Sequence, residues 1–332
     1  MRSSDEPRPG TRIALLAGQS VVSVTLLAWL LRGLDTHALG QLLLTLPGWY
    51  YAVSLVVIVG GQILYAWRWW LLLSIAGLNI SPGAAVRSYL IGVFANNFLP
   101  STIGGDATKI YYLGRAHGYR TILASVVVDR MLGLGSLSLF AAAAAWAVPA
   151  SSARFAALRL AVTAAAGGAC AIIVLAMIGT GGARRWLAPF GASAVKIADR
   201  LQRLRLDMAQ LLRQPRVLAC SGAIVLGYFL SLSLVYLWFP GLGGASPPGL
   251  LAVFTAVTMT GVLSNVPISL NGLGVREQLH VWLFAPLGVP REVAVAISLL
   301  LFSHILVTSL GGMVLWLMRP AHAAPAAAGP GN

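Results

Sequence analysis

Six stretches of the chain are apolar for long enough to cross a bilayer, and this constrains everything else. They cover residues 13–31, 51–72, 122–148, 158–179, 217–239 and 293–318, and a helix needs ~20 residues to span ~30 Å of hydrocarbon. Backbone amides at that depth find no water, so each run must close its hydrogen bonds within its own helix. Composition agrees: 58% of the 332 residues are hydrophobic and 10% are charged. Disordered, collagen-like and nucleic-acid-reading chains need a polar or charged majority and are excluded. The fold class expected is therefore an all-α polytopic integral membrane protein. The first run follows Arg2, Arg8 and Arg12 and is 19 residues long, too long for a signal-peptide core, so it reads as a retained span behind a cytoplasmic arm, residues 1–12.

Lys and Arg number 23 against 9 Asp and Glu, a formal net charge of +14. In a polytopic protein that excess marks cytoplasmic loops facing anionic lipid, and nucleic acid is not the partner it implies. Residues 180–216 carry eight basic residues between Arg184 and Arg216 against Asp199 and Asp207. Counting outward from that loop puts the N-terminus, the Lys109, Arg115 and Arg120 cluster, and Arg319 on one cytoplasmic side. The location expected is the inner (cytoplasmic) membrane, with both termini in the cytoplasm. Within the loop, Lys196, Arg200 and Arg203 share one helical face and Leu201, Leu204, Met208 and Leu211 another, as in an interfacial helix. Residues 319–332 offer little to bury and read as a disordered tail. Cys170 and Cys220 both lie in apolar runs, so neither a disulfide framework nor a metal cluster is expected, and no cofactor.

Two shorter apolar stretches, about 84–99 and 249–264, each end in Asn and then Pro. The first continues Asn96-Asn97-Phe98-Leu99-Pro100-Ser101-Thr102-Ile103-Gly104-Gly105-Asp106, and the second Asn265-Val266-Pro267-Ile268-Ser269-Leu270-Asn271-Gly272-Leu273-Gly274-Val275-Arg276-Glu277. Pro removes an amide donor, Gly permits left-handed backbone and Asn caps freed groups, so both passages break a helix inside the membrane. The architecture expected is six full spans plus two re-entrant hairpins within one membrane domain, residues 13–318. Its halves, about 49–148 and 217–318, form an inverted repeat whose broken ends meet near the midplane. The alternative is two ordinary loops between eight full spans.

NNFLPSTIGGDATKIYYLGR, followed by Val128-Asp129-Arg130-Met131-Leu132-Gly133, and later PISLNGLGVRE, resemble in that order the two signatures of the lysylphosphatidylglycerol synthase transmembrane region, the flippase-like domain of the multiple peptide resistance factor. The resemblance covers roughly residues 12–318. It departs from the family at Asn271, where a second glycine is usual. No counterpart of the aminoacyl-transfer domain follows residue 318, so lipid lysinylation is not carried over. The resemblance implies a lipid-translocating or lipid-binding module with two re-entrant hairpins.

Charges inside spans cost at least ~2.5 kcal/mol each, so each needs a partner or a task. The candidates are Asp129 and Arg130, Arg276 and Glu277 at the second break, Arg87 at the start of a short helix, and Asp106 with Lys109 after the first break. With Asn96, Asn97, Pro100, Gly104, Gly105, Asn265, Pro267, Gly272 and Gly274, they are the expected head-group and translocation residues. Four bases against three acids leave a slight positive excess. An arginine fork fits a phosphate, so the partner expected is a phosphate-bearing membrane lipid, a phospholipid or a polyprenyl phosphate. Plainer roles are open for several: Asp106 as a helix N-cap, the doublets as interhelical ion pairs, Arg68 as a snorkelling interface anchor among aromatics, and His304 bonded to a Ser or Thr of a neighbouring helix. Gly60 and Gly61 read as ordinary positions in a regular span.

The sequence contains no GxxxxGK[ST], HExxH or GxSxG motif, so neither a nucleotide-driven pump nor a hydrolase is expected. Lipid translocation is the leading expectation. The alternatives are a membrane transferase using Asp129 or Glu277 as general base, and a subunit that presents lipid to a separate lipid-modifying enzyme; a homo-oligomer is open. The topology has a direct check: cysteines at residues 118 and 200 should both be labelled only from the cytoplasm. Labelling from opposite sides would defeat the re-entrant scheme.

Overall fold

A computed structural model describes residues 34–98, 104–178, 192–239, 248–266, 269 and 272–318, with residues 25, 28 and 32. Nearly all of the run 13–31, the loop stretch 180–191, the tail 319–332, and Pro100, Pro267 and Asn271 lie outside them. Among the described residues every regular element is helical: α1 (Thr36–Leu44), α2 (Gly48–Ile75), α3 (Pro82–Phe98), α4 (Gly104–His117), α5 (Tyr119–Ala147), α6 (Ala153–Ile178), α7 (Ala192–Leu212), α8 (Pro215–Leu237), α9 (Leu250–Leu263), α10 (Val275–Phe284) and α11 (Arg291–Leu317), with a 3-10 turn at Ala285–Leu287. Five of these, α2, α5, α6, α8 and α11, are long and apolar enough to cross a membrane. Leu160, Ile172 and Leu175 on α6 are all more than half exposed. Such a surface is stable only against lipid, so the protein is a polytopic α-helical membrane protein.

Local chemistry sets the helix ends. Asp35 caps α1 by accepting from the backbone N–H of His37 and Ala38 at 2.9 and 3.0 Å. α2 stops at a Schellman motif: Gly77 takes φ +78°, its N–H donates to Ser74, and Leu78 N–H donates to Leu73. Pro215 opens α8, where its missing donor costs nothing. Arg205 of α7 and Arg213 just after it donate to the carbonyls of Ala176 and Met177 at the end of α6, and Arg120 pairs with Asp207 at 2.7 Å. The amphipathic helix expected at 196–211 is therefore anchored to the bundle. Lys196, Arg200 and Arg203 face outward and Leu211 is buried, but Leu201 is exposed and does not share the inner face.

Packing is reciprocal between two quartets of helices. α3 packs on α11, the last helix of the other quartet, and α9 packs on α5 in the same way. α2 packs on α3 as α8 packs on α9, α4 on α5 as α10 on α11, and α2 meets α8 at the centre. Each broken segment thus lies against the long helix that closes the opposite half.

The first break folds back on itself. Lys109 lies over the ring of Tyr89 and Gly105 N–H donates to Asn96 at 2.9 Å, so residues equally far from the break sit side by side, as in an antiparallel hairpin. The fit is tight: a Cβ on Gly105 would stand 2.0 Å from the Gly92 carbonyl oxygen. Gly105 is thus needed for close approach, whereas Gly272 and Gly274 are needed for φ of +75° and +83°. Gly61 is not an ordinary span position, because a Cβ there would meet the Tyr228 ring at 2.2 Å; Gly60 has nothing within 4 Å.

Arg68 is not an interface anchor. It is buried, and its Nε donates to Asp129 Oδ1 at 2.8 Å, Nη2 to the Asp129 carbonyl at 3.1 Å and Nη1 to Ser221 Oγ at 3.3 Å. One guanidinium therefore joins α2, α5 and α8. Gly133, one turn beyond Asp129, leaves room for it: a Cβ there would lie 3.1 Å from Nη2. His304 meets its simpler expectation, with Nε2 3.0 Å from Ser54 Oγ on α2.

Two stability predictions follow from this packing. Gly105→Ala must push the hairpin open against a backbone oxygen and should cost about 1–3 kcal/mol, while Gly60→Ala should be neutral or slightly stabilising; melting in detergent compares them. Arg68→Met strands Asp129 and should cost about 3–5 kcal/mol, with much of the loss recovered in Arg68→Met/Asp129→Leu. The labelling probe at residue 118 moves to Ala116, because Gly118 has φ +93° and a cysteine there would strain the turn.

Candidate functional site

A cavity of about 630 Å³ opens between the two quartets, with walls drawn from both breaks. α3 and α4 supply Tyr89, Asn96, Asn97 and Lys109; α5 supplies Asp129 and Arg130; the second break supplies Ser264, Asn265, Ser269, Gly272 and Arg276. Gln62, Tyr65 and Arg68 line it from α2. These three recur every third residue, which keeps them on one stripe of an otherwise apolar helix.

At the first break one carboxylate serves two cations. Asp106 accepts from Arg130 Nε at 2.8 Å through Oδ2 and from Lys109 Nζ at 3.3 Å through Oδ1. It lies in the first turn of α4, which begins at Gly104, so its carboxylate holds side chains instead of capping the helix. Lys109 is 5% exposed, with its ammonium 4.1 Å from the centre of the Tyr89 ring and 5.2 Å from that of Trp69. Those ring faces replace part of the hydration it loses. Arg130 differs, since its side chain is 46% exposed and, among the described residues, its Nε alone is engaged, which leaves the terminal nitrogens open.

At the second break the doublet pairs with itself. Arg276 Nε and Nη2 donate to Glu277 Oε1 at 3.0 and 2.5 Å, and Ser298 Oγ on α11 donates to the same oxygen at 3.0 Å. Glu277 Oε2 accepts from Gly274 N–H at 2.6 Å, half of a capping box that fixes the start of α10. Glu277 is fully buried, and Arg276 lies over the Phe302 ring at 4.6 Å. Interhelical pairing, expected of all four residues in the doublets, occurs at Asp129 and Arg130 but not between Arg276 and Glu277.

Of the residues expected at the site, Asn96, Asn97, Lys109, Asp129, Arg130, Asn265, Gly272 and Arg276 line the cavity. Gly105, Asp106, Gly274 and Glu277 stand behind the wall and hold it, through Asn96, Arg130 and Arg276, and Gly104 is not part of the lining. Arg87 is elsewhere: its Nη2 donates to the Leu315 carbonyl at 3.1 Å, at the end of α11, where a cation suits the helix C-terminus. The sequence reading missed Gln62, Tyr89 and Ser269 and misassigned Arg68. The three-residue spacing of Gln62, Tyr65 and Arg68 was the available signal for α2; nothing local singles out Ser269.

Residues 16–312 match the family model described as the lysylphosphatidylglycerol synthase TM region. The chain is also similar to the UPF0104 membrane protein PH1989 of Pyrococcus horikoshii, 24% identical over 328 residues, covering 89% of this chain and 95% of that protein. With a model match over most of its length and both signatures in its cavity wall, the chain belongs to the lysylphosphatidylglycerol synthase transmembrane region family.

Proposed function

We propose that the protein binds the head group of a phosphate-bearing membrane lipid, a phospholipid or a polyprenyl-phosphate-linked lipid, and moves it between leaflets without a nucleotide of its own. The observation that carries this is the position of the cavity's exposed cation. Arg130 lies about 16 Å along a helix about 43 Å long, at 1.5 Å per residue, and Leu134, one turn on, is exposed and lines the same cavity. A rim at that depth faces lipid, so a head group can enter from the side while its chains stay in hydrocarbon.

The lengths of the broken helices support two re-entrant hairpins over eight full spans. α9 is about 21 Å long and α10 about 15 Å, both short of ~30 Å of hydrocarbon. The reciprocal packing of the quartets supports an inverted repeat, with half-helix ends meeting at a shared site. The distribution of basic residues supports an inner-membrane location with cytoplasmic termini. A transferase has less behind it, because the carboxylates of Asp129 and Glu277 are each engaged by an arginine.

Proteoliposomes with tail-labelled lipids test the proposal through leaflet exchange in the absence of ATP. Exchange should exceed that of protein-free vesicles for at least one phosphate-bearing lipid. Arg130→Lys and Arg276→Lys keep charge but lose the planar fork, so each should slow exchange roughly tenfold, with melting unchanged for Arg130→Lys and lowered for Arg276→Lys, whose fork also meets buried Glu277. Wild-type rates in both would remove the arginines from head-group recognition, and no exchange above background for any such lipid would end the translocation reading.

A further inference from the structure

The cavity also carries a charge rule, which rests on the lipid-binding reading above. The ionisable side chains of its wall, with the carboxylates paired to them, are Arg68, Lys109, Arg130 and Arg276 against Asp106, Asp129 and Glu277. Four cations less three carboxylates leave one positive charge. Its place is defined, because Asp129 is matched by Arg68 and Glu277 by Arg276, while Asp106 alone is shared between Lys109 and Arg130. Lys109 is enclosed by aromatic faces, so the unneutralised charge is presented by the outward nitrogens of Arg130.

The rest of the wall is polar without charge. Gln62, Asn96, Ser264, Asn265 and Ser269 all line it. Ser269 is 1% exposed and its hydroxyl has no hydrogen-bond partner among the described residues, a cost that a bound hydroxyl would remove. No carboxylate of the wall lacks a cation, so an ammonium group entering here would meet cations with no free counter-charge.

We infer that the cavity takes a lipid phosphodiester bearing a single negative charge and an uncharged, hydroxylated head group, with the phosphate on Arg130 and the hydroxyls toward the second break. A phosphomonoester brings up to two charges and overfills a surplus of one. A zwitterionic head group brings an ammonium that the wall repels, and a cationic one adds to the surplus. The required chemistry is found both in a glycerolipid with a polyol head and in a polyprenyl phosphate joined to a neutral sugar.

The test is leaflet exchange by the full chain in proteoliposomes, with four tail-labelled probes: phosphatidylglycerol, a polyprenyl phosphate carrying one neutral sugar, phosphatidic acid and phosphatidylethanolamine. At least one of the first two should exchange about tenfold faster than either of the last two, and the faster of the pair identifies the source. Arg130→Gln removes the surplus and should bring phosphatidylglycerol down to the phosphatidylethanolamine rate. Asp106→Asn raises the surplus to two and should shift preference toward phosphatidic acid. Arg130→Gln/Asp106→Asn restores a surplus of one and should recover part of the original preference. Should Asp106→Asn fail to melt cooperatively, the Arg130→Gln result decides alone. If phosphatidic acid or phosphatidylethanolamine matches the first two probes in the wild type, lipid binding stands and the charge rule falls; if no probe moves, both fall.

Discussion

The structure depends on the cost of leaving a charge unpaired in hydrocarbon. Arg68 and Asp129 face each other with side chains 5% and 8% exposed, and removing either would leave the other with a desolvation penalty that nothing nearby could meet. That obligation draws α2, α5 and α8 to one point, since Ser221 accepts from the third guanidinium nitrogen. Asp106 imposes the same obligation on α4 and α5 through Arg130. Once these helices are held around polar groups, the space between them cannot close as an apolar core would, and the cavity is what remains.

Small residues decide how closely the broken segments approach that space. Gly92 and Gly105 bring the two arms of the first hairpin into backbone contact, and Gly312 lets α11 meet the Leu90 carbonyl of α3, where a Cβ would be only 2.2 Å away. Close helix approach through small residues is the usual means of packing where lipid is as apolar as the side chains. At the second break glycine acts through backbone conformation instead, as Gly272 and Gly274 adopt positive φ before Glu277 fixes the new helix. The two breaks look alike in sequence and use their glycines for different physical ends.

The exposed cation and the buried ones divide the labour of the site. Arg68, Lys109 and Arg276 each meet a carboxylate or an aromatic face inside the protein, and they shape the wall. Among the described residues Arg130 is held by its Nε alone, which fixes its direction while leaving the other end of the fork available. A site built this way is preorganised for an anion arriving from the side, and its charge is set by the count of groups, not by any single residue.

Of the six apolar runs, the five that fall among the described residues are helices long enough to span, because a chain this hydrophobic has no other way to satisfy its backbone in lipid. The helix ends beside both breaks, at Phe98 and Leu263, were also legible, since Asn, Pro and Gly act through local backbone geometry, and so were four of the five charged residues of the cavity wall, because charges in apolar segments are rare enough to stand out. Arg68 was not legible: among Tyr65, Trp67, Trp69 and Trp70 it has the local pattern of an interface anchor, and only the placement of Asp129 sixty-one residues away makes it a buried ion-pair partner. Arg87 failed in the opposite sense, because its partner is the end of α11. Local spacing already places Lys109 beside Asp106 and Arg276 beside Glu277. The pairs that join helices, Arg68 with Asp129 and Arg130 with Asp106, depend on contacts between segments that spacing along one helix does not report, so tertiary structure alone decided them.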